Sequence, residues 1–472
     1  MATVLEKTHV FPSTVSSDSF TNFSLPLTFC DTLWFKFPPV ERLFFYSLPQ
    51  PKPTFLISTL PKLKHSLSLT LLHFLPLAGN LTWPPDSPKP TILYTPNDGV
   101  PLTVAASDAD FDLISGDHVR QALLLHPFVP KLNITETGAS AIALQITLFP
   151  DRGFCIGATC HHAVLDGKSS TMFMKSWAHF CRSETPVLPP ELTPFYDRSF
   201  IKDPNGVVMS NLNLWLGLTG TSNPKDDPNL FQFFPFQDVS SDSVRGTFEL
   251  TRADIAKLRE KVLSTWEKRQ PTGTESVKPP YLTSFVLTLS HMLVCFLKTR
   301  EEDKDDHEIK RKITFGFTAD LRSRLRPPVP ENYFGNCVGF LVDSEDKRGV
   351  LKEEEPLAAM AGKVGELMKE LVEKDVLESA TETQRKLSTL LSEGTVIVGV
   401  AGSPRLGVYG VDFGWGQPKK VEVVSIDRTE AFSMAESRDG SGGIEIGIVL
   451  KKRQMDVFSS LFLTGLQIHH HV

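Results

Sequence analysis

The stretch Cys160-His161-His162-Ala163-Val164-Leu165-Asp166-Gly167 sets a histidine four residues ahead of an aspartate and closes on a glycine. Imidazole titrates near about 6.5, so a histidine can be neutral at physiological pH and accept a proton from a reacting group. The same spacing arises by chance around solvated or hydrogen-bonded histidines, so its surroundings decide its meaning. Upstream, Ala141 to Phe149 reads as a strand, Pro150-Asp151-Arg152-Gly153 as a hairpin turn and Phe154 to Thr159 as the returning strand. Downstream, Ser169 stands where an N-cap would open a helix carrying Met172, Phe173, Trp177 and Phe180. The stretch is therefore expected in a strand-to-helix loop of an α/β protein, held on both sides by rigid elements.

Further out, Leu60, Leu63, Leu67, Leu71 and Leu75 recur at helical spacing and predict an amphipathic helix stopping at Pro76 and Gly79. At 472 residues the chain exceeds one ordinary core, and about 150 residues per domain predicts two or three. Apolar residues make up 41% and charged residues 22%, enough to fill such cores. A net charge of −6 gives no basic stripe for phosphate backbones, so nucleic acid is not an expected partner.

The N-terminus lacks the basic and apolar regions of a secretory signal, which points to the cytosol and makes the sequons at Asn22, Asn80 and Asn133 chance matches. The most apolar segment, Ser284 to Leu297, is too short to span a bilayer and reads as a buried helix, so no membrane is expected. Six cysteines without a Cys-x-x-Cys pair read as reduced and buried. His469-His470-His471 reads as a terminal tail.

Between Ser183 and Pro235 prolines accumulate and periodicity fades, predicting a crossover between two halves. The expected division is a first domain over 1–205, a linker over 206–235 and a second domain over 236–472. Helices are predicted at Arg252 to Trp266 and within Leu357 to Leu391, and strands at Ile313 to Phe317, Thr395 to Val400 and Glu445 to Leu450. A final helix is expected from about Met455. The segments Lys268 to Pro280 and Arg300 to Lys312 read as solvated loops.

A second motif, Asp412-Phe413-Gly414-Trp415-Gly416, follows Ser403-Pro404-Arg405 and precedes Gln417-Pro418-Lys419-Lys420. Read as the Asp-Phe-Gly of a protein kinase, it lacks the glycine-rich phosphate loop and His-Arg-Asp loop that kinase chemistry needs. Read as a metal site, His161, His162 and Asp166 have no companion ligand motif of suitable spacing, so no metal is expected. His162-x-x-x-Asp166-Gly167 together with Asp412 to Gly416, in that order, makes the chain resemble the BAHD acyltransferases, which move an acyl group from coenzyme A. The resemblance covers essentially the whole chain and includes Leu75-Pro76-Leu77-Ala78-Gly79 and Asn332-Tyr333-Phe334-Gly335-Asn336-Cys337. Peptide-synthesising condensation domains and chloramphenicol acetyltransferase share the histidine motif and a similar fold but would lack Asp412 to Gly416.

The resemblance implies an α/β fold of two chloramphenicol acetyltransferase-like domains flanking a solvent channel, with about 403–432 crossing back to complete the first. Tyr333 to Cys337 resembles the mark of the branch that acylates flavonoid and other phenolic glucosides, frequently with malonyl groups. The implied reaction is transfer from malonyl-CoA to a sugar hydroxyl, with a hydroxycinnamoyl donor or an inactive small-molecule-binding relative as alternatives. Acyl-CoA and a phenolic glucoside are the expected partners of a monomer without a bound cofactor.

Acyl transfer to a hydroxyl needs one base, because the thioester is already electrophilic and its thiolate leaves readily. His162 is the expected general base and His161 a packing residue. Asp166 invites a triad reading, whereas the resemblance implies that it pairs with an arginine, Arg322 or Arg324, and holds the loop. Gly167 is expected to relieve the turn. Asp412, Gly414, Trp415 and Gly416 suit a tight buried loop, with Asp412 the alternative second acid or base. Lys257, Arg259, Lys261, Thr283, Ser284 and Ser403 are the candidates for coenzyme contacts. A malonyl donor also calls for a cation at its free carboxylate, and Lys168 is the sequence neighbour able to supply one.

Overall fold

Two strands, Ile142–Phe149 and Gly153–Cys160, form the centre of the first sheet and are buried along their length and largely apolar because both faces are covered. The computed structural model describes residues 2–13, 21–183, 187–220, 227–235, 238–268, 281–302 and 312–467. The first sheet has six strands in the order Ala2–Val10, Val100–Ser107, Ile142–Phe149, Gly153–Cys160, Val40–Ser47 and Lys420–Val423. Helices Leu60–His73 and Gly167–Arg182 cover one face, locked where Trp177 Nε1 donates to Leu63 O at 3.0 Å. Leu43, Phe45, Phe111, Phe128 and Phe149 form the core on the other.

The second half holds a five-stranded sheet ordered Val400–Gly402, Phe432–Glu436, Ile444–Lys451, Ser243–Leu250 and Arg120–Gln121. A three-stranded sheet, Val338–Asp346, Lys312–Asp320 and Ile397–Val398, lies beside it. Each half thus lends the other a strand. Lys420–Val423 runs antiparallel to Val40–Ser47, and Arg120–Gln121 pairs with Ser243–Leu250. Buried charges fasten the exchange: Glu422 meets both Arg120 and Arg245 (2.9 Å to the latter), while Asp427 takes Arg245 and His126 (2.9 Å to His126).

Several expectations are corrected. The span expected as a linker contains the helix Val207–Thr219, whose Val207, Val208, Leu212, Trp215 and Leu216 are buried, with Trp215 Nε1 donating to Thr32 O at 3.2 Å. The surrounding prolines hid that periodicity. Asp166, not Ser169, caps the helix Gly167–Arg182, because its carboxylate accepts from Ser169 N at 2.8 Å. Gly167 is an ordinary first helical residue without a positive φ; its missing side chain leaves room for Leu406, whose Cδ1 would stand 3.0 Å from an added Cβ.

The helix Ser284–Glu302 packs in the second half, and no described helix is long and apolar enough to cross a membrane. All six cysteines are buried and free. Residues 269–280 and 303–311 of the two expected loops, and the His469–His471 tail, lie outside the described residues.

Candidate active site

The strand Gly153–Cys160 runs directly into His161, whose backbone N donates to Ala141 O at 3.0 Å and continues the ladder for one more residue. His161 is fully enclosed, packs on Phe233 at 5.2 Å and accepts Ala163 N on Nδ1 at 3.2 Å. Burial pushes it down to about 3, so it is a neutral packing group.

His162 points the other way. Its ring stacks on Trp34 at 4.3 Å with 13° between planes and meets the edge of Phe37 at 5.5 Å. Nδ1 is enclosed and takes no hydrogen bond from another residue, which leaves Nε2 as the nitrogen able to meet a substrate. Burial pushes His162 down to about 4, an effect partly offset by the nearby Asp166 charge. The ring is therefore neutral through the physiological range, held by apolar contact rather than by a carboxylate.

Asp166 does not orient that ring. One oxygen accepts Ser169 N at 2.8 Å, the other accepts Cys337 N at 3.1 Å and pairs with Arg322 at 2.9 Å. Arg322, fully buried, also meets Asp320 at 3.1 Å and donates to Tyr333 O at 3.2 Å. Arg324 instead donates to Leu371 O. A triad would need an Asp166 oxygen on the histidine; these are held by backbone donors and a guanidinium.

The segment Tyr333 to Cys337 of the second half clasps the histidine loop of the first. Asn336 Nδ2 donates to His162 O at 3.0 Å, and its backbone N to Asp31 Oδ1 at 2.9 Å. Asp31 in turn is ion-paired with Arg198. Ser169 Oγ reaches Gly335 O at 2.9 Å. Trp34, Phe37, Asp31, Arg198 and the role of Asn336 escape the sequence reading. Only Asn336 lies in a recognisable motif, whereas Trp34 reaches His162, and Asp31 reaches Asn336, from a distant stretch with no local signal.

Asp412 Oδ1 accepts Gly414 N at 2.7 Å and Gly416 N at 3.0 Å, closing a tight loop in which both glycines adopt positive φ, 101° and 96°. Phe413 is fully buried edge-on between Trp177 (5.1 Å) and Tyr46 (5.6 Å), and Trp415 lies against Phe154 at 5.8 Å. Tyr46 OH donates to Val411 O at 2.9 Å. The motif staples the returning chain to the first half.

Of the coenzyme candidates, Lys257, Arg259 and Lys261 lie on the helix Arg252–Lys268, and Thr283 and Ser284 at the start of Ser284–Glu302. Arg259 Nη1 donates to Leu282 O at 2.7 Å, and Thr283 Oγ1 caps the second helix by accepting Val286 N at 3.2 Å. Lys257 pairs with Asp254 at 3.1 Å and Lys261 with Glu355 at 3.6 Å. Ser403 stands apart, accepting Arg405 N at 3.2 Å. None of the six lines the large cleft of about 750 Å³ beside the helix Gly167–Arg182, where Lys168, Lys175, Arg182 and Arg405 are the lysines and arginines. Lys168 also reaches that cleft, where it is paired with Glu331 and with Asp320 at 3.3 Å. Among the described residues no cluster of histidine, cysteine or carboxylate side chains could hold a metal ion.

Residues 1–463 match the Transferase family. The chain is 44% identical over 469 residues to phenolic glucoside malonyltransferase 1 of Arabidopsis thaliana, covering 98% of this chain and 97% of that one. It is 42% identical over 463 residues to the malonyl-CoA:anthocyanidin 5-O-glucoside-6''-O-malonyltransferase of the same plant (96% and 97% covered). It is 38% identical over 464 residues to agmatine coumaroyltransferase, also from A. thaliana (97% and 98% covered). Among solved structures, vinorine synthase superposes with a TM-score of 0.69 at 20% identity, covering 98% of each chain, a likeness of fold.

Proposed function

The chain belongs to the BAHD acyltransferase family and is an acyl-CoA-dependent acyltransferase, and from that premise we propose that it transfers malonyl from malonyl-CoA to a sugar hydroxyl of a flavonoid or other phenolic glucoside, with His162 as general base. The observation that carries the base assignment is the neutral ring of His162, stacked on Trp34, with Nδ1 enclosed and Nε2 left for substrate. Nε2 takes the proton of the acceptor hydroxyl as its oxygen attacks the thioester carbonyl. The tetrahedral intermediate then collapses, breaking the carbon–sulfur bond, and the departing thiolate recovers the proton from His162. Carbon, sulfur and proton balance, and no acyl-enzyme is needed. The oxyanion forms beside apolar walls, where a fixed hydrogen-bond donor is worth about 3–4 kcal/mol.

Asp166, Gly167, Asp412, Gly414, Trp415 and Gly416 serve as structure: the first two fix the histidine loop and the rest fasten the returning segment. Lys257, Arg259 and Lys261, with Thr283 and Ser284 at a helix N-terminus, are assigned to the phosphates of the coenzyme, and Ser403 to its pantetheine arm. The first domain comprises 1–205 completed by the returning strand, and the second 236–472. The enzyme is proposed to work as a cytosolic monomer.

Thiol release tests the reading. Purified protein is offered malonyl-, acetyl- and coumaroyl-CoA with phenolic glucosides and with agmatine, each product being identified by mass. Malonyl-CoA with a glucoside should be the productive pair, and His162→Ala should lower its rate by about 10²–10⁴ while the protein stays folded. Preference for coumaroyl-CoA would transfer the donor assignment to the aromatic class, and an unchanged rate in the variant would overturn the base.

A further inference from the structure

We infer that Trp34 is the positioning residue for His162, holding the base with an indole face where a triad would hold it with a carboxylate. This rests on His162 being the base and deepens that reading. A general base must present one nitrogen to the substrate and keep it there, because a misplacement of about 1 Å can cost about 10² in rate. In a triad the second nitrogen is hydrogen-bonded to an aspartate that fixes the ring. Here Asp166 is engaged by Ser169, Cys337 and Arg322, and His162 Nδ1 takes no hydrogen bond from another residue. Two aromatic contacts stand in its place. The indole of Trp34 lies 4.3 Å from the imidazole with 13° between planes, and Phe37 meets the ring from the side at 5.5 Å and 84°. The indole face fixes the plane of the imidazole, and the Phe37 contact limits how far the ring can swing.

Trp34 is itself enclosed and held. It is 4% exposed, lies edge-on to Phe37 at 5.2 Å and to Phe340 at 5.9 Å, and packs with Leu33 and Leu387. Its backbone N donates to Asp31 O at 3.0 Å, and Asp31 Oδ1 accepts Asn336 Nδ2 at 3.2 Å, the same amide that donates to His162 O at 3.0 Å. One turn of chain therefore grips His162 twice, its carbonyl through Asp31 and Asn336 and its ring through Trp34. Phe340, on the strand Val338–Asp346, and Leu387, on the helix Val376–Ser392, belong to the second half, so the alignment of a first-half base depends on second-half side chains. Apolar filling alone does not account for an indole here. Trp34 Nε1 is buried without a hydrogen-bond partner among the described residues, whereas leucine or phenylalanine would fill the site without stranding a donor. What the indole adds is a flat face of two fused rings, laid against the imidazole.

The experiment measures kcat and KM for malonyl-CoA and one phenolic glucoside in the wild type, Trp34→Leu, Trp34→Phe, His162→Ala and the two double variants, each normalised to its folded fraction. Trp34→Leu should lower kcat about 100-fold while both KM values stay within about twofold, and Trp34→Phe, which keeps a smaller face, should lower it about 10-fold. On the His162→Ala background neither substitution should reduce the residual rate further, because a residue that acts through the base has nothing left to position. Trp34→Leu that raises KM and keeps kcat, or that costs as much without His162 as with it, would make Trp34 a wall of the channel and overturn the inference. If the leucine variant does not fold, the phenylalanine variant decides alone: its loss in kcat must disappear in His162→Ala. Equal turnover by the wild type and His162→Ala would instead remove the parent reading, a result obtained before any Trp34 variant is made.

Discussion

Replacing Asp166 with asparagine separates a structural aspartate from a catalytic one. The substitution keeps size but removes a charge that faces Arg322 at 2.9 Å. It also turns an amide NH₂ towards either Ser169 N or Cys337 N, each of which donates to the carboxylate in the native protein. Breaking a buried ion pair typically costs about 3–5 kcal/mol. Asp320, 3.1 Å from the same guanidinium and half-exposed, relieves part of that and brings the charge effect to the low end. Stranding one backbone N–H adds about 1–3 kcal/mol. Asp166→Asn should therefore lose about 4 kcal/mol, a large share of the roughly 5–15 kcal/mol that holds a native fold.

The assay is urea unfolding followed by tryptophan fluorescence, with activity normalised to the folded fraction. The midpoint should drop sharply. Because the charge that strands Arg322 is the source, adding Arg322→Met should recover about 1–3 kcal/mol relative to the additive expectation. A normal midpoint with turnover reduced about 10⁴-fold is the behaviour of a triad aspartate and would refute the reasoning outright.

Acid sensitivity gives a second prediction. His162 is held at about 4 and His161 at about 3, below the usual 6.5, so between those values the unfolded chain binds more protons. Stability contributed by these rings is present above pH 6.5 and is lost as pH falls through the window towards 4. For kcat/KM the acid limb should lie near 4, and a limb near 6.5 would mean that His162 is not desolvated. At the second motif, Phe413→Ala should cost about 3–5 kcal/mol for the ring buried between Trp177 and Tyr46. Asp412→Ala should lower stability while leaving turnover per folded molecule intact; a stable but inactive Asp412→Ala would make that carboxylate catalytic.

Local pattern made much of this molecule legible. The hairpin Ile142–Phe149 to Gly153–Cys160, and the helix after His162, follow from apolar runs bounded by turn residues. The histidine and the Asp-Phe-Gly-Trp-Gly loop are short contiguous motifs, so a single sequence carries them. What stayed hidden was long-range. Trp34 reaches His162 across more than a hundred residues, and Asn336 and Asp31 meet over 305 positions. Ser169 and Asp166 both suit an N-cap by residue type, and only the hydrogen bond from Ser169 N to the Asp166 carboxylate separates them. The helix Val207–Thr219 was missed because proline-rich flanks outweighed an apolar face.

The lending of strands between the halves has a practical corollary for recombining this enzyme with its relatives. A hybrid joined in the stretch between the halves would look modular on paper, yet its first sheet would end with the donor's residues 420–423 and its second with the recipient's 120–121. Glu422 and Asp427 would then confront arginines at 120 and 245 drawn from two different ancestors. A hybrid that draws 120–121, Ser243–Leu250 and 420–428 from one ancestor keeps this buried charge set matched. Whole-half swaps between family members would then leave the two sheets joined by charges that evolved together.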